Sequence, residues 1–131
     1  MPKPPSPHPS PDPRQQLGLS GEERVIAWLG ERGWRVESHR FRMGRLEIDL
    51  VLRRGSLVAF VEVKTRRGQG YGRGREAVGW RKRMAIAHAA DAWRLRHGRR
   101  GDIYRFDVVE IEVGPSGVRW DHIEDAWRIV R

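Results

Sequence analysis

Two apolar runs on either side of Arg53-Arg54-Gly55-Ser56 constrain this chain more than any other stretch. Glu47-Ile48-Asp49-Leu50-Val51-Leu52 precedes the break, and Leu57-Val58-Ala59-Phe60-Val61-Glu62-Val63-Lys64 follows it. Both are short, apolar and bounded by turn residues, so the pair reads as a β-hairpin. Side chains alternate across a strand, which places Glu47 and Asp49 on one face of the first strand and Glu62 and Lys64 on one face of the second. A two-residue turn at Arg54-Gly55 pairs Arg53 with Ser56, sets Asp49 opposite Phe60 and Glu47 opposite Glu62, and brings all four polar groups to a common face. Asp49 is then diagonal to Glu62, roughly 7 Å away at the backbone. Like charges so placed destabilise a plain hairpin, and a divalent cation is an economical compensation. A one-residue slip of register would separate the two sets. The competing reading is a solvated strand end with a local Glu–Lys pair.

The remainder is sized for one domain. At 131 residues the chain can bury a single core. With no cysteine there is neither a disulfide framework nor a thiolate metal site. No apolar run approaches a membrane span and no signal-peptide core follows the start, so the expectation is a soluble, cytoplasmic protein with no membrane partner. A net charge of +9 favours a polyanionic partner, most simply nucleic acid, although a coding preference for arginine would produce the same excess. Lys3, Lys64 and Lys82 are the only lysines among 26 basic residues. Where arginine is the default cation, a retained lysine points to a place that needs a compact ammonium.

In chain order, residues 1–17 hold seven of the eight prolines and read as a disordered tail, with residues 18–131 as the folded domain. Ser20 and Glu23 form a capping-box pattern that opens a helix ending at Gly33, with Val25, Ile26, Trp28 and Leu29 as its buried stripe. Glu22 in its first turn suits the helix dipole, a structural role that competes with a site role. Trp34 to Phe41 alternates as a strand, with Trp34, Val36 and Ser38 on one face, and Met43-Gly44 supplies the bend into the hairpin. After Lys64 comes a cationic, glycine-interleaved segment containing Arg66, Arg67, Arg73, Arg75, Arg81, Lys82 and Arg83, a suitable cradle for phosphates, or otherwise a solvated loop. Gly72 to Ala77 imitates a dinucleotide fingerprint but lacks the acidic strand end that should follow. A helix from about Arg75 to Arg96 presents Ile86, Ala89, Ala90 and Trp93 inward. Lys82 lies one turn upstream on that stripe and should aim its ammonium at the sheet. Strands over Ile103–Val113 and Val118–Ile123 follow. Asp107 is either a buried, paired carboxylate or a further site residue, and Trp127 packs back on the domain. The five histidines show no metal-ligand spacing.

A helical acid, a strand carboxylate and an acid-x-Lys on the next strand resemble the PD-(D/E)xK nuclease superfamily. Gly21-Glu22, Glu47-Ile48-Asp49-Leu50, Phe60-Val61-Glu62-Val63-Lys64-Thr65-Arg66, Ala77-Val78 with Lys82, and Arg105-Phe106-Asp107-Val108-Val109 resemble the successive motifs of the YraN-like bacterial family, itself similar to archaeal Holliday junction resolvases. The resemblance covers roughly residues 18–127. Leu46 departs from it, standing where the family usually has glycine. The resemblance implies an α/β fold with a restriction-endonuclease-like core, a mixed β-sheet flanked by helices in the order α-β-β-β-α-β-β. It implies a metal-dependent endonuclease hydrolysing DNA phosphodiesters, with branched or junction DNA among the substrates. Asp49, Glu62 and the Val63 carbonyl would hold Mg2+ or Mn2+, with Glu22 as a further ligand or water contact. Lys64 would act on the attacking water and the phosphate charge, Glu47 would serve as a ligand or hold Lys64, and Lys82 would contact phosphate. The alternative is a non-catalytic module that binds nucleic acid or a protein partner on the same fold. RNA is a third candidate substrate. Symmetric junction cutting would call for a homodimer, which no feature of the sequence demands.

Overall fold

The structure is a computed structural model describing residues 20–67 and 79–129, with Arg67 described by its backbone alone. The elements run α1 (Gly21–Gly30), β1 (Arg35–Met43), β2 (Leu46–Arg54), β3 (Leu57–Arg67), α2 (Trp80–His97), β4 (Ile103–Gly114) and β5 (Gly117–Trp127). This is the expected order. The five strands form one mixed sheet, β1-β2-β3-β4-β5. All neighbours are antiparallel except β3 and β4, whose parallel pairing requires a crossover, and α2 lies on it. The Pro-rich tail lies outside the described residues. Among the described residues, no helix is long and apolar enough to cross a membrane.

The near-continuous apolar runs of β2 and β3 follow from burial on both faces. On one face Val25 and Leu29 of α1 pack with Leu50, Leu52, Ala59, Val61, Val109 and Ile111. On the other, Ile86, Ala89, Ala90 and Trp93 of α2 pack with Val51, Val58, Phe60 and Val108. The expected inward stripe of α2 is therefore its buried face. At the start of α1, the Glu23 amide donates to Ser20 Oγ at 3.1 Å, the anticipated cap. Trp127 stacks on Phe106 with ring centroids 3.9 Å apart.

The central hairpin differs from the expected one in register. Arg54 pairs with Leu57 and Leu50 with Val61, so the turn is Gly55-Ser56, with Gly55 at φ 64°, and not Arg54-Gly55. Glycine at the first central position of a two-residue hairpin turn matches the right-handed strand twist. The slip is two residues, an even number, and keeps Asp49, Glu62 and Lys64 on one face. Glu47 does not keep its place: Ile48 and Leu46 pack with Val51 on the α2 side while Leu50 faces α1, so the alternation of β2 reverses at Asp49 and turns Glu47 off the expected face. Extended by one step, the observed register sets Asp49 across from Glu62 itself, no longer diagonal to it. The strand also takes in Arg54, expected in the turn. Arg53 is 3% exposed and forms a bidentate bond to Asp102, with Nη1–Oδ1 2.7 Å and Nη2–Oδ2 2.9 Å, while its Nε donates to Glu37.

Two further expectations are corrected. A bulge between Val36 and Ser38 breaks the alternation of β1. Trp34 and Val36 face α1, whereas Ser38 turns to the α2 side and accepts from Trp93 Nε1 at 2.9 Å. Gly79 is extended (ψ 166°), so α2 starts at Trp80 and does not run through from Arg75. Residues 75–78 are outside the described residues.

Candidate active site at a fork in the sheet

The sheet opens at one end. β1 follows β2 down to the Met43–Leu46 pair, and β4 follows β3 up to the Arg67–Val113 pair, whereas β2 and β3 pair only as far as Leu50–Val61. The first residues of β2 and the last residues of β3 therefore line a fork. Backbone groups there need other partners. The Val63 N–H donates to Asp49 Oδ2 at 2.9 Å, a side chain standing in for a missing ladder carbonyl. In an extended strand the N–H and C=O of one residue point to the same side, so the Val63 carbonyl is also directed into the fork.

Asp49 and Glu62 meet in its mouth. Glu62 is 5% exposed. Burial is the main reason that the Asp49 carboxyl is raised to about 7. The Val63 N–H opposes that shift, and the charges of Glu62 and Glu22, with a hydrogen bond shared with Glu62, add to it. Two lysines answer this concentration of acid. Lys64 Nζ lies 3.2 Å from Glu62 Oε1, and Lys82 Nζ, reaching from the first turn of α2, contacts the same oxygen. Lys82 is therefore aimed at the sheet as its helical position suggested. Partial burial works against its charge, but Glu62 and Asp49 together hold its pKa above the ordinary lysine value.

Glu22 reaches the cluster through its field on Asp49 and is itself engaged. Its Oε1 is 2.8 Å from His39 Nε2 and accepts from Arg40 Nε at 3.1 Å. Sequence reasoning passed over both partners. Arg40 adopts φ 56°, a conformation that nothing in its local sequence signals, and the register places it opposite Asp49. Glu47 accepts from Arg42 Nε at 3.0 Å. The expected quartet thus separates into a tight Asp49–Glu62–Lys64 group joined by Lys82, with Glu22 at its border and Glu47 drawn outward. Among the described residues, no three acidic or imidazole side chains converge as a metal-binding group. One buried and one partly buried carboxylate beside a backbone carbonyl fit Mg2+ nonetheless. That ion keeps several waters and is commonly held by one or two carboxylates together with substrate phosphates.

Of the remaining basic residues, Arg66 is on the last turns of β3 and Arg81 is exposed beside Lys82. The Arg83 guanidinium is 5.9 Å from the Trp127 ring centroid. The Arg67 side chain, Arg73 and Arg75 lie outside the described residues. Asp107, 1% exposed, accepts from Arg105 Nε at 2.9 Å and from the Asp125 amide at 2.9 Å, and lies 2.7 Å from His122 Nε2. It is the buried, paired carboxylate of the two readings.

The model of the Uncharacterised protein family UPF0102 matches residues 21–111. The UPF0102 protein of Anaeromyxobacter dehalogenans (strain 2CP-C) is 40% identical over 116 residues, 88% of this chain and 87% of that protein. UPF0102 protein STH1475 of Symbiobacterium thermophilum is 40% identical over 103 residues, covering 79% and 87%. UPF0102 protein GSU0650 of Geobacter sulfurreducens is 40% identical over 114 residues, covering 86% and 89%.

Proposed function

This chain belongs to the Uncharacterised protein family UPF0102, the YraN-like family, and we propose that it is a Mg2+- or Mn2+-dependent endonuclease hydrolysing DNA phosphodiesters, branched DNA included. The observation that carries this reading is the buried Glu62 meeting the partly buried Asp49 in the mouth of the fork, with Lys64 and Lys82 against them. Such a pair is costly for a fold unless it binds something. The link to the PD-(D/E)xK nucleases is part of this proposal. It is supported by the order of elements and by the placement of the helical acid, the strand acid and the acid-x-Lys around one opening.

Asp49, Glu62 and the Val63 carbonyl would hold the ion, with Glu22 as an outer contact through water. The bound ion would supply Lewis acidity and a more acidic water. In the hydrolysis, the water oxygen forms a bond to phosphorus and releases a proton to solvent while the bond from phosphorus to a sugar oxygen breaks, and the departing oxygen takes up a proton from solvent. Lys64 orients the water and stabilises the negative charge that builds on the phosphate oxygens. Lys82 and Arg81, at the start of α2, hold a neighbouring phosphate, with Arg66 on the facing strand. Contacts of this kind carry no sequence information, so the substrate is selected by its shape.

One observation favours the second reading, a non-catalytic nucleic-acid-binding module. Glu62 already has two ammoniums as counter-charges and needs no cation for its own neutrality. Labelled linear, flapped and four-way-junction DNA, and RNA, incubated with Mg2+ or Mn2+, separate the two. Cutting that requires the metal and is abolished in Glu62→Ala establishes the enzyme. Cutting that survives Glu62→Ala refutes the site, and binding without cutting on any substrate leaves the module.

A further inference from the structure

β4 carries an acid that the site described so far does not use. Phe106 and Val108 lie on the α2 face of the sheet and Val109 and Ile111 on the other, so alternation puts Glu110 on the α2 face. The parallel register sets Glu110 beside Lys64. The face that bears Glu62 and Lys64 therefore bears a third carboxylate one strand over. Its Oε1 is buried and has no hydrogen-bond partner. A carboxylate oxygen shut away from both water and a donor is costly, and such atoms call for an explanation. The neighbour across on β5, Asp121, is itself acidic and supplies no donor when ionised.

The lysines suggest what that oxygen is for. Lys64 and Lys82 both lie on Glu62 Oε1, and one oxygen offers two lone pairs. With both ammoniums in place, that oxygen has no lone pair left for a cation. A divalent ion held by Asp49 and Glu62 would also repel both ammoniums. Lys82, with 45% of its side chain exposed, can swing into water. Lys64, at 21%, is more confined, and the acceptor beside it is Glu110.

We propose that Glu110 is a positioning residue, the second seat of the Lys64 ammonium, taken when a divalent cation engages Glu62. The inference rests on the metal-site reading above. The exchange keeps Lys64 charged, neutralises the orphaned oxygen and holds the ammonium one strand from the ion, within reach of a phosphate lying over the fork.

Mn2+ binding measured by calorimetry tests this without any turnover. Glu110→Gln should weaken binding at least about tenfold, the size of one charge-assisted hydrogen bond. In a Lys64→Ala background the same change should do nothing, because no ammonium needs the seat. Equal losses in both backgrounds would show that Glu110 only adds negative potential, and unchanged affinity in the Lys64 protein would show that it does nothing; either overturns the proposal. Failure of the wild type to bind Mn2+ is a different result, and overturns the metal reading beneath it. Should Glu110→Gln not fold, 15N-lysine labelling of the wild type decides, since the chain has only Lys3, Lys64 and Lys82. On adding Mg2+, the Lys64 ammonium should stay protected from exchange while that of Lys82 becomes water-like. Loss of protection at both would refute the second seat.

Discussion

The Val63 amide donates to Asp49 Oδ2 at 2.9 Å across the point where β2 and β3 part, so the carboxylate that closes the fork is also one whose charge burial penalises. Its folded value of about 7 stands above the ordinary 3.8. Between those values the folded chain holds a proton that the unfolded chain has released, so stability falls as pH rises from 4 to 7, and the full penalty remains above 7. Asparagine keeps an acceptor for the Val63 N–H and removes the charge. In EDTA, Asp49→Asn should raise stability at pH 8 by about 2 kcal/mol, less than the full shift implies because Asp49 is only partly buried, and should be near neutral at pH 4. Urea melts at the two pH values measure this. Equal effects at both would mean that Asp49 is not strained.

Arg53 and Asp102 carry the opposite sign. The Arg53 guanidinium holds the Asp102 carboxyl well below the ordinary carboxylate range. The stability that this contributes is complete above about pH 4 and is lost as pH falls through the depressed folded value. Arg53→Met strands Asp102 and Glu37 and should cost about 3–5 kcal/mol. Arg53→Met with Asp102→Asn should cost less than the sum of the single changes, measured as a double-mutant cycle in denaturant.

These two pairs mark what was legible in the sequence. Asp49, Glu62 and Lys64 were found because alternation survives an error in register: the turn was placed one residue early, the pairing moved by two, and the faces held. Strand and helix order was equally readable, from periods of two and 3.6 bounded by glycine. Arg53 was read only as the strand residue paired with Ser56 beside the turn; its burial was not foreseen, because an arginine at a strand end looks solvated and its partner Asp102 is 49 residues away. Ser38 was put on the wrong face because the bulge at Glu37 has no local signal. Glu110 did have one. It is an acid alternating with Phe106 and Val108 in an apolar strand, the pattern that singled out Glu62.

Gly21 fixes how far Glu22 reaches. A Cβ there would lie 2.1 Å from Thr65 Oγ1 and 3.5 Å from Val63 Cγ1, so the first turn of α1 sits directly on the last residues of β3. Gly21→Ala must either turn the Thr65 hydroxyl aside or push that turn off the strand, and the second outcome is the one expected to show at Glu22. An overpacking cost of about 1–3 kcal/mol is expected. Glu22 should retreat with the helix, relieving Asp49 of one like charge. The Asp49 carboxyl should then titrate below its wild-type value, as measured by 13C NMR. An unchanged Asp49 titration would show that Glu22 exerts no influence on the fork.

Lys82 should show two effects of opposite direction. It contacts Glu62 and, being 45% exposed, is also open to the phosphate proposed to lie over the fork. In EDTA, Lys82→Ala should bind DNA several-fold more weakly. The dependence of log affinity on log salt should become shallower by about 0.9, the signature of one lost phosphate contact. Without DNA, the same protein should bind Mn2+ more tightly than the wild type, because one of the two ammoniums competing for Glu62 is gone. Lys64→Ala should share the gain in Mn2+ affinity but lose cleavage at saturating DNA, since its proposed role is at the water and the transition-state charge. An unchanged salt slope for Lys82→Ala would place its ammonium entirely on Glu62 and leave phosphate binding to the arginines of the fork.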